Sequence, residues 1–115
     1  PINDLIGKTS LKQMLACLNR ASLVVAPDTG PAHMAVTQRT PVLGLYAHSN
    51  PARTGPYLYQ GYTCSTYDQH IEDQYRKSAN DIKWGTRAKG KDLMTAITLE
   101  SAIGNFERLV NDFNL

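Results

Sequence analysis

The sequence is short of cysteine, of aromatic residues other than tyrosine, and of long apolar runs, and each shortage closes off a class of function. Its two cysteines, Cys17 and Cys64, stand alone. They lack the paired spacing of a zinc site and are too few for a disulfide framework, so a reduced, cytoplasmic setting is the expectation. No apolar stretch approaches the ~18 residues that a membrane-spanning helix needs, and no signal peptide is visible. Neither charge dominates, since 12 Lys and Arg stand against 10 Asp and Glu for a net +2. The basic residues are scattered, and the densest run, Lys83 to Lys91, is interrupted by Trp84, Gly85 and Gly90. That is no footprint for a nucleic acid. No Ser or Cys sits in the context of a nucleophile elbow, and no internal repeat or low-complexity tract is present.

What remains is 115 residues at 42% apolar, enough for one domain with a modest core. The chain opens on Pro1 rather than Met, almost inside a strand, and reads as part of something longer. Asn3 to Ile6 reads as a short strand closed by Gly7. Ser10 with Gln13 forms a capping box for a helix to about Asn19, carrying Leu11, Met14, Leu15 and Leu18 at helical spacing. Ser22 to Ala26 reads as a second strand, Gly30 to Gln38 as a short helix, and Pro41 to Tyr46 as a third strand. Such alternation with short connections predicts right-handed parallel crossovers, hence an α/β layer sandwich. Beyond Tyr46 the pattern loosens. Ala47 to Pro56 reads as a polar loop and Tyr62 to Ser65 as a strand. Asp68 to Lys77 reads as a polar helix with Ile71 and Tyr75 facing the core, and Asn80 to Asp92 as loop. Thr98 caps a last helix in which Leu99, Ala102, Ile103, Phe106, Leu109, Val110 and Phe113 repeat at three and four.

The run Asp28-Thr29-Gly30-Pro31-Ala32-His33 lies where the Leu23 to Ala26 strand gives way to a helix. Pro31 suits a first helical turn, and the amides of Thr29 and Gly30, together with the helix dipole, make a natural anion site. On spacing alone an ordinary turn is an equal alternative. Asp28 either caps the helix or accepts a sugar hydroxyl; beside a phosphate its charge is repulsive. His33 faces either the core, the more common fate, or the pocket. Ligands of open parallel sheets sit beyond the carboxyl ends of the strands, and Gly7 to Ser10, Asp28 to Gly30 and His48 to Asn50 are expected to converge there. In the loop after the third strand, Arg53 suits a phosphate or carboxylate. Tyr57, Tyr59 and Tyr62 are expected to cover the core, His70 to lie on a polar helix face, and Cys17 to fill space on the first helix.

Taken in order, Asp28 to Ala35, Thr40 to Tyr46 and Asn50 to Tyr57 closely resemble the heptosyltransferase family of glycosyltransferases (glycosyltransferase family 9), and Leu5 to Leu11 looks like that family's preceding strand and helix start. The resemblance covers about residues 4 to 57; Cys64 to Lys91 carries no recognisable pattern. It implies a GT-B enzyme with two Rossmann-like domains, of which residues 1–115 are part of the C-terminal, donor-binding one. An ADP-heptose donor, a lipid A/Kdo-type acceptor and inversion at the anomeric carbon follow from it. Thr29 and Gly30 are then expected to hold the diphosphate, Asp28 and His33 to line the donor site, and Lys8 and Thr9 to lie beside the adenine. Ser49, Asn50 and Arg53 form a candidate sugar- or acceptor-side loop. The general base is expected in the N-terminal domain, so no catalytic residue, metal or cofactor is assigned to this chain and the isolated chain is expected to be inactive. Peripheral association with the inner face of the inner membrane and self-association of the chain are further expectations. Another nucleotide-sugar transferase of GT-B architecture and a noncatalytic nucleotide-diphosphate-binding module are the competing readings.

Overall fold

Ser10 opens the first helix as its spacing predicts. In the computed structural model, which describes residues 2–115, its hydroxyl accepts from the Gln13 amide (3.2 Å) and its own amide donates to the Gln13 side chain (2.8 Å). That reciprocal cap satisfies two otherwise orphaned donors and starts α1, Leu11–Arg20. β1 (Val24–Pro27), α2 (Gly30–Thr37) and β2 (Val42–Tyr46) follow, then a single-turn helix α3 (Pro51–Thr54), β3 (Cys64–Ser65), α4 (Tyr67–Tyr75) and α5 (Leu99–Asp112). The three strands pair in parallel in the order β1-β2-β3, with Val24 opposite Val42 and Leu45 opposite Cys64.

Strand alternation divides the core between the two faces. Val24, Ala26 and Val42 meet Ala32, Ala35 and Val36 of α2 and Leu18 of α1. Two alanines on the buried side of α2 let that helix lie close to the sheet. Leu43, Leu45 and Cys64 meet Leu109 and Ala102 of α5 on the other face. One flank of α5 is tied to the β3 side, where Asn105 Nδ2 donates to Cys64 Sγ (3.1 Å), Arg108 Nη1 to the Gly61 carbonyl (3.1 Å) and Tyr62 Oη to the Asp112 carboxylate (2.6 Å). At 100° per residue, the stripe Leu99, Ile103 and Phe106 falls on the opposite flank, and it is exposed. Val25 on edge strand β1 is exposed as well. No helix among the described residues is long and apolar enough to cross a membrane.

Several local expectations are corrected. Asn3 to Ile6 is not a strand: Asp4 Oδ1 accepts from the Ile6 amide (2.9 Å) and Lys8 N donates to the Leu5 carbonyl (3.0 Å), so the segment turns on itself and leaves Ile2 and Ile6 in solvent. The 47–56 loop contains α3, because Asn50 Oδ1 caps the Ala52 amide. Only two residues of the expected 62–65 strand pair with β2, since Gln60–Tyr62 winds into a 3-10 turn. The expected 80–92 loop begins inside a 3-10 turn over Ala79–Asp81. In α4 the buried face is Tyr67, His70 and Ile71, while Tyr75 is exposed. His70 is therefore a core residue, its Nε2 within 3.2 Å of the Leu93 carbonyl. Cys17 is exposed, and so is Tyr57, whereas Tyr59 is buried and Tyr62 packs partly against the core.

Candidate functional site

β1 ends at Pro27, and the turn that follows delivers Asp28, Thr29 and Gly30 to the carboxyl edge of the sheet. Thr29 caps α2 in extended conformation (φ −144°, ψ 165°), but its hydroxyl donates backwards to the Pro27 carbonyl (3.3 Å) and offers the helix nothing. Pro31 has no amide to give. The amides of Thr29 and Gly30, both exposed residues, have no hydrogen-bond partner among the described residues; the Ala32 amide has none either, but Ala32 is fully buried. A Cβ built on Gly30 would meet nothing within 4 Å, so the approach to its amide is open. The exposed, unpaired amides of Thr29 and Gly30 at the positive end of an eight-residue helix attract an anion.

Asp28 is held from two sides. Its Oδ2 accepts from Thr54 Oγ1 of α3 (3.1 Å), and its Oδ1 lies 3.5 Å from His33 Nε2. His33 therefore turns toward the turn and solvent, with its side chain 48% exposed, and not into the core. Behind them, buried Tyr46 donates its hydroxyl to the Thr54 carbonyl (2.9 Å). Burial, and then the Asp28 charge, push that phenol up to about 12. The resulting chain of contacts, Tyr46 to Thr54 to Asp28 to His33, orients the carboxylate.

A cavity of about 240 Å³ opens beside Asp28 at the carboxyl ends of β1 and β2, lined among others by Tyr46, His48, Ser49 and Arg87. This is where the fold rule for parallel sheets places a ligand. Ser49 is buried there, its hydroxyl accepting from Arg87 Nη1 (2.7 Å). The other two residues of that loop go elsewhere: Asn50 is occupied in capping α3, and exposed Arg53 lays its guanidinium against Gly85, where an added Cβ would stand 3.4 Å from Nε. Lys8 is exposed and lines neither this cavity nor the α2 turn. Thr9 does come near α2. With Leu5, Ile6, Met14, Cys17 and Pro31 it lines a separate apolar groove of about 310 Å³. Convergence at the sheet edge thus holds for Asp28 to Gly30 and His48 to Ser49, whereas Gly7 to Ser10 arrives beside the helix, the segment Asn3 to Ile6 before it being a turn and not a strand. Thr54 and Arg87 escaped the sequence reading. Among the described residues no group of three His, Cys, Asp or Glu is placed to hold a metal ion.

A family model described as glycosyltransferase family 9 (heptosyltransferase) matches residues 1–83. Over 106 residues, 92% of the chain, the sequence is 44% identical to the lipopolysaccharide core heptosyltransferase OpsX of Haemophilus influenzae. The chain spans about 30% of the length of that relative. No solved structure matches it significantly. The family match extends past the motifs that end at Tyr57 and stops before Arg87.

Proposed function

The chain belongs to glycosyltransferase family 9 (heptosyltransferase), and from that premise we propose that it forms the donor-binding part of an inverting GT-B enzyme that moves a heptose from ADP-heptose to the lipopolysaccharide inner core. The carrying observation is the open α2 N-terminus, with the exposed, unpaired amides of Thr29 and Gly30 beside an oriented Asp28. In this reading the diphosphate sits on those amides. The adenine occupies the neighbouring apolar groove between Thr9 and Pro31, which lies one residue from Gly30. A sugar attached to the diphosphate reaches Asp28, whose carboxylate accepts its hydroxyls, with His33 alongside.

The chemistry fits a single displacement. An acceptor hydroxyl oxygen bonds to the anomeric carbon as the bond from that carbon to the diphosphate oxygen breaks, and the hydroxyl proton goes to a general base. No residue of this chain is assigned as that base. Negative charge grows on the departing diphosphate, and fixed amides with a helix dipole are stronger partners for it at the transition state than in the ground state. The acceptor, of lipid A/Kdo type, would be met together with the rest of the enzyme at the cytoplasmic face of the membrane, and the chain alone binds donor without transferring it.

Titration calorimetry with ADP-heptose, ADP and a UDP-sugar tests this. Binding of both adenine nucleotides in preference to the UDP-sugar supports the reading. Preference for the UDP-sugar transfers it to another nucleotide-sugar donor, and absence of binding to all three refutes it. Robust heptosyl transfer by the 115-residue chain alone would refute the divided site.

A further inference from the structure

We propose that Arg87 is a second anion-binding residue of this cleft, separate from the diphosphate site, taking the carboxylate or phosphate group of an acidic sugar. Its position relative to the donor rests on the reading above; its own geometry does not. Arg87 and Asp28 line the same cavity, whereas Thr29 and Gly30 do not line it, so a group bound by the guanidinium there is not held by the α2 amides. The Asp28 carboxylate faces the same cavity and repels a diphosphate there. A sugar satisfies both walls, with hydroxyls toward Asp28 and its acidic group toward Arg87.

The guanidinium is free to do this. Of its five N–H donors one is used, on the neutral Ser49 hydroxyl, and no carboxylate among the described residues lies within ion-pair distance. It is also held in place. The strap 86–90 has no regular secondary structure, yet it is pinned on both sides of Arg87. Tyr67 Oη donates to the Thr86 carbonyl (2.6 Å), and the Ala88 amide donates to the His48 carbonyl (2.8 Å). Gln74 Oε1 accepts from the Lys89 amide (2.8 Å) while its Nε2 donates to the Lys89 carbonyl (2.6 Å). Ala88 is buried, which anchors the strap and sets the direction of the residue before it. Orientation fixed in advance is what an ion-binding arginine needs, because less freedom is lost on binding.

The family model stops at residue 83, so the strap lies beyond what that model matches. An aligned stretch of 106 residues out of 115 with the OpsX relative cannot avoid it. An arginine on such a strap is suited to discriminate substrates by their charge.

The test is a titration of the isotope-labelled chain by nuclear magnetic resonance with ADP, D-glucose, D-glucuronate and glucose 1-phosphate. The expected result is that one or both acidic sugars shift the Arg87 Nε–H and Ala88 signals and bind roughly fivefold or more tightly than glucose, as a charge-assisted contact requires. The stronger of the two identifies carboxylate or phosphate as the group. Arg87→Gln should abolish the preference and Arg87→Lys keep part of it, both with the amide spectrum of the folded chain and with ADP still shifting Thr29 and Gly30. Equal binding of glucose and the acidic sugars overturns the proposal, and so does a preference that survives in Arg87→Gln. Loss of ADP binding in Arg87→Gln overturns the separation of the two sites. Failure of ADP to bind while the acidic-sugar preference stands refutes the donor reading alone.

Discussion

Replacing Gly30 with valine separates the demands of folding from those of binding. Gly30 does not have positive φ, and a Cβ there meets nothing within 4 Å, so the folded chain accommodates a side chain at this position. Valine is also the better helix former of the two by a few tenths of a kcal/mol. The stability change should therefore stay within about 0.5 kcal/mol. Binding is another matter, because the valine methyls stand in the open space through which an anion reaches the Gly30 amide. Loss of one hydrogen bond to a charged group costs about 1.5–3 kcal/mol. At 1.4 kcal/mol per decade that is roughly a 10- to 150-fold rise in the Kd for ADP. Titration calorimetry gives the affinity and urea unfolding gives the stability of the same preparation. Unchanged affinity would show that the diphosphate does not approach this face. A stability loss equal to the affinity loss would show that Gly30 serves the fold and not the ligand.

Leu109→Ala, at the fully buried centre of the α5 contact, should cost about 2–5 kcal/mol in urea unfolding, while Leu99→Ala on the exposed stripe should change stability by less than about 0.5 kcal/mol; equal losses would mean that α5 sits in a different phase. The Tyr46 phenol, raised to about 12 by burial and then by Asp28, favours the neutral form in the folded chain. Its contribution is complete below the unfolded value near 10 and is lost as pH rises from about 10 through 12, so the thermal midpoint should fall less steeply over that range in Tyr46→Phe than in the parent. We expect the chain to self-associate through the exposed apolar stripe, and Ile103→Glu combined with Phe106→Glu to weaken that contact, seen as slower sedimentation at high concentration and reduced binding of a hydrophobic dye; a parent chain that sediments as a monomer, or an unaltered profile in the variant, would refute this.

The sequence was readable wherever a residue's role depends on its near neighbours. Ser10 and Gln13 cap α1 across three residues, Thr98 caps α5 by accepting from the Ser101 amide, and the Asp28 to His33 turn follows from an apolar strand meeting Pro31. Where the outcome depends on a distant partner, pattern misled. Asn3 to Ile6 has strand-like composition, but an unpaired strand has no ladder to join, and Asp4 turned the segment back instead. Ile71 and Tyr75 share a helical face by spacing, yet the buried face of α4 is set by what covers it, namely Ala88 and Leu93 from the strap and the turn beyond it.

The two residues that escaped at the site have the same cause. Thr54 meets Asp28 across 26 residues and Arg87 meets Ser49 across 38, both through loops whose return path no local rule predicts. The first half of the chain builds the strand ends and the helix terminus, which local rules describe. Residues beyond β2 then fold back over those ends. Thr54 aims the Asp28 carboxylate, and the strap brings Arg87 to the cavity that the motif cations Lys8 and Arg53 do not line. A site divided in this way can keep its anion-binding turn constant while the returning segments vary, and that is the physical reason to look for substrate discrimination at Arg87 and for the shared chemistry at Gly30.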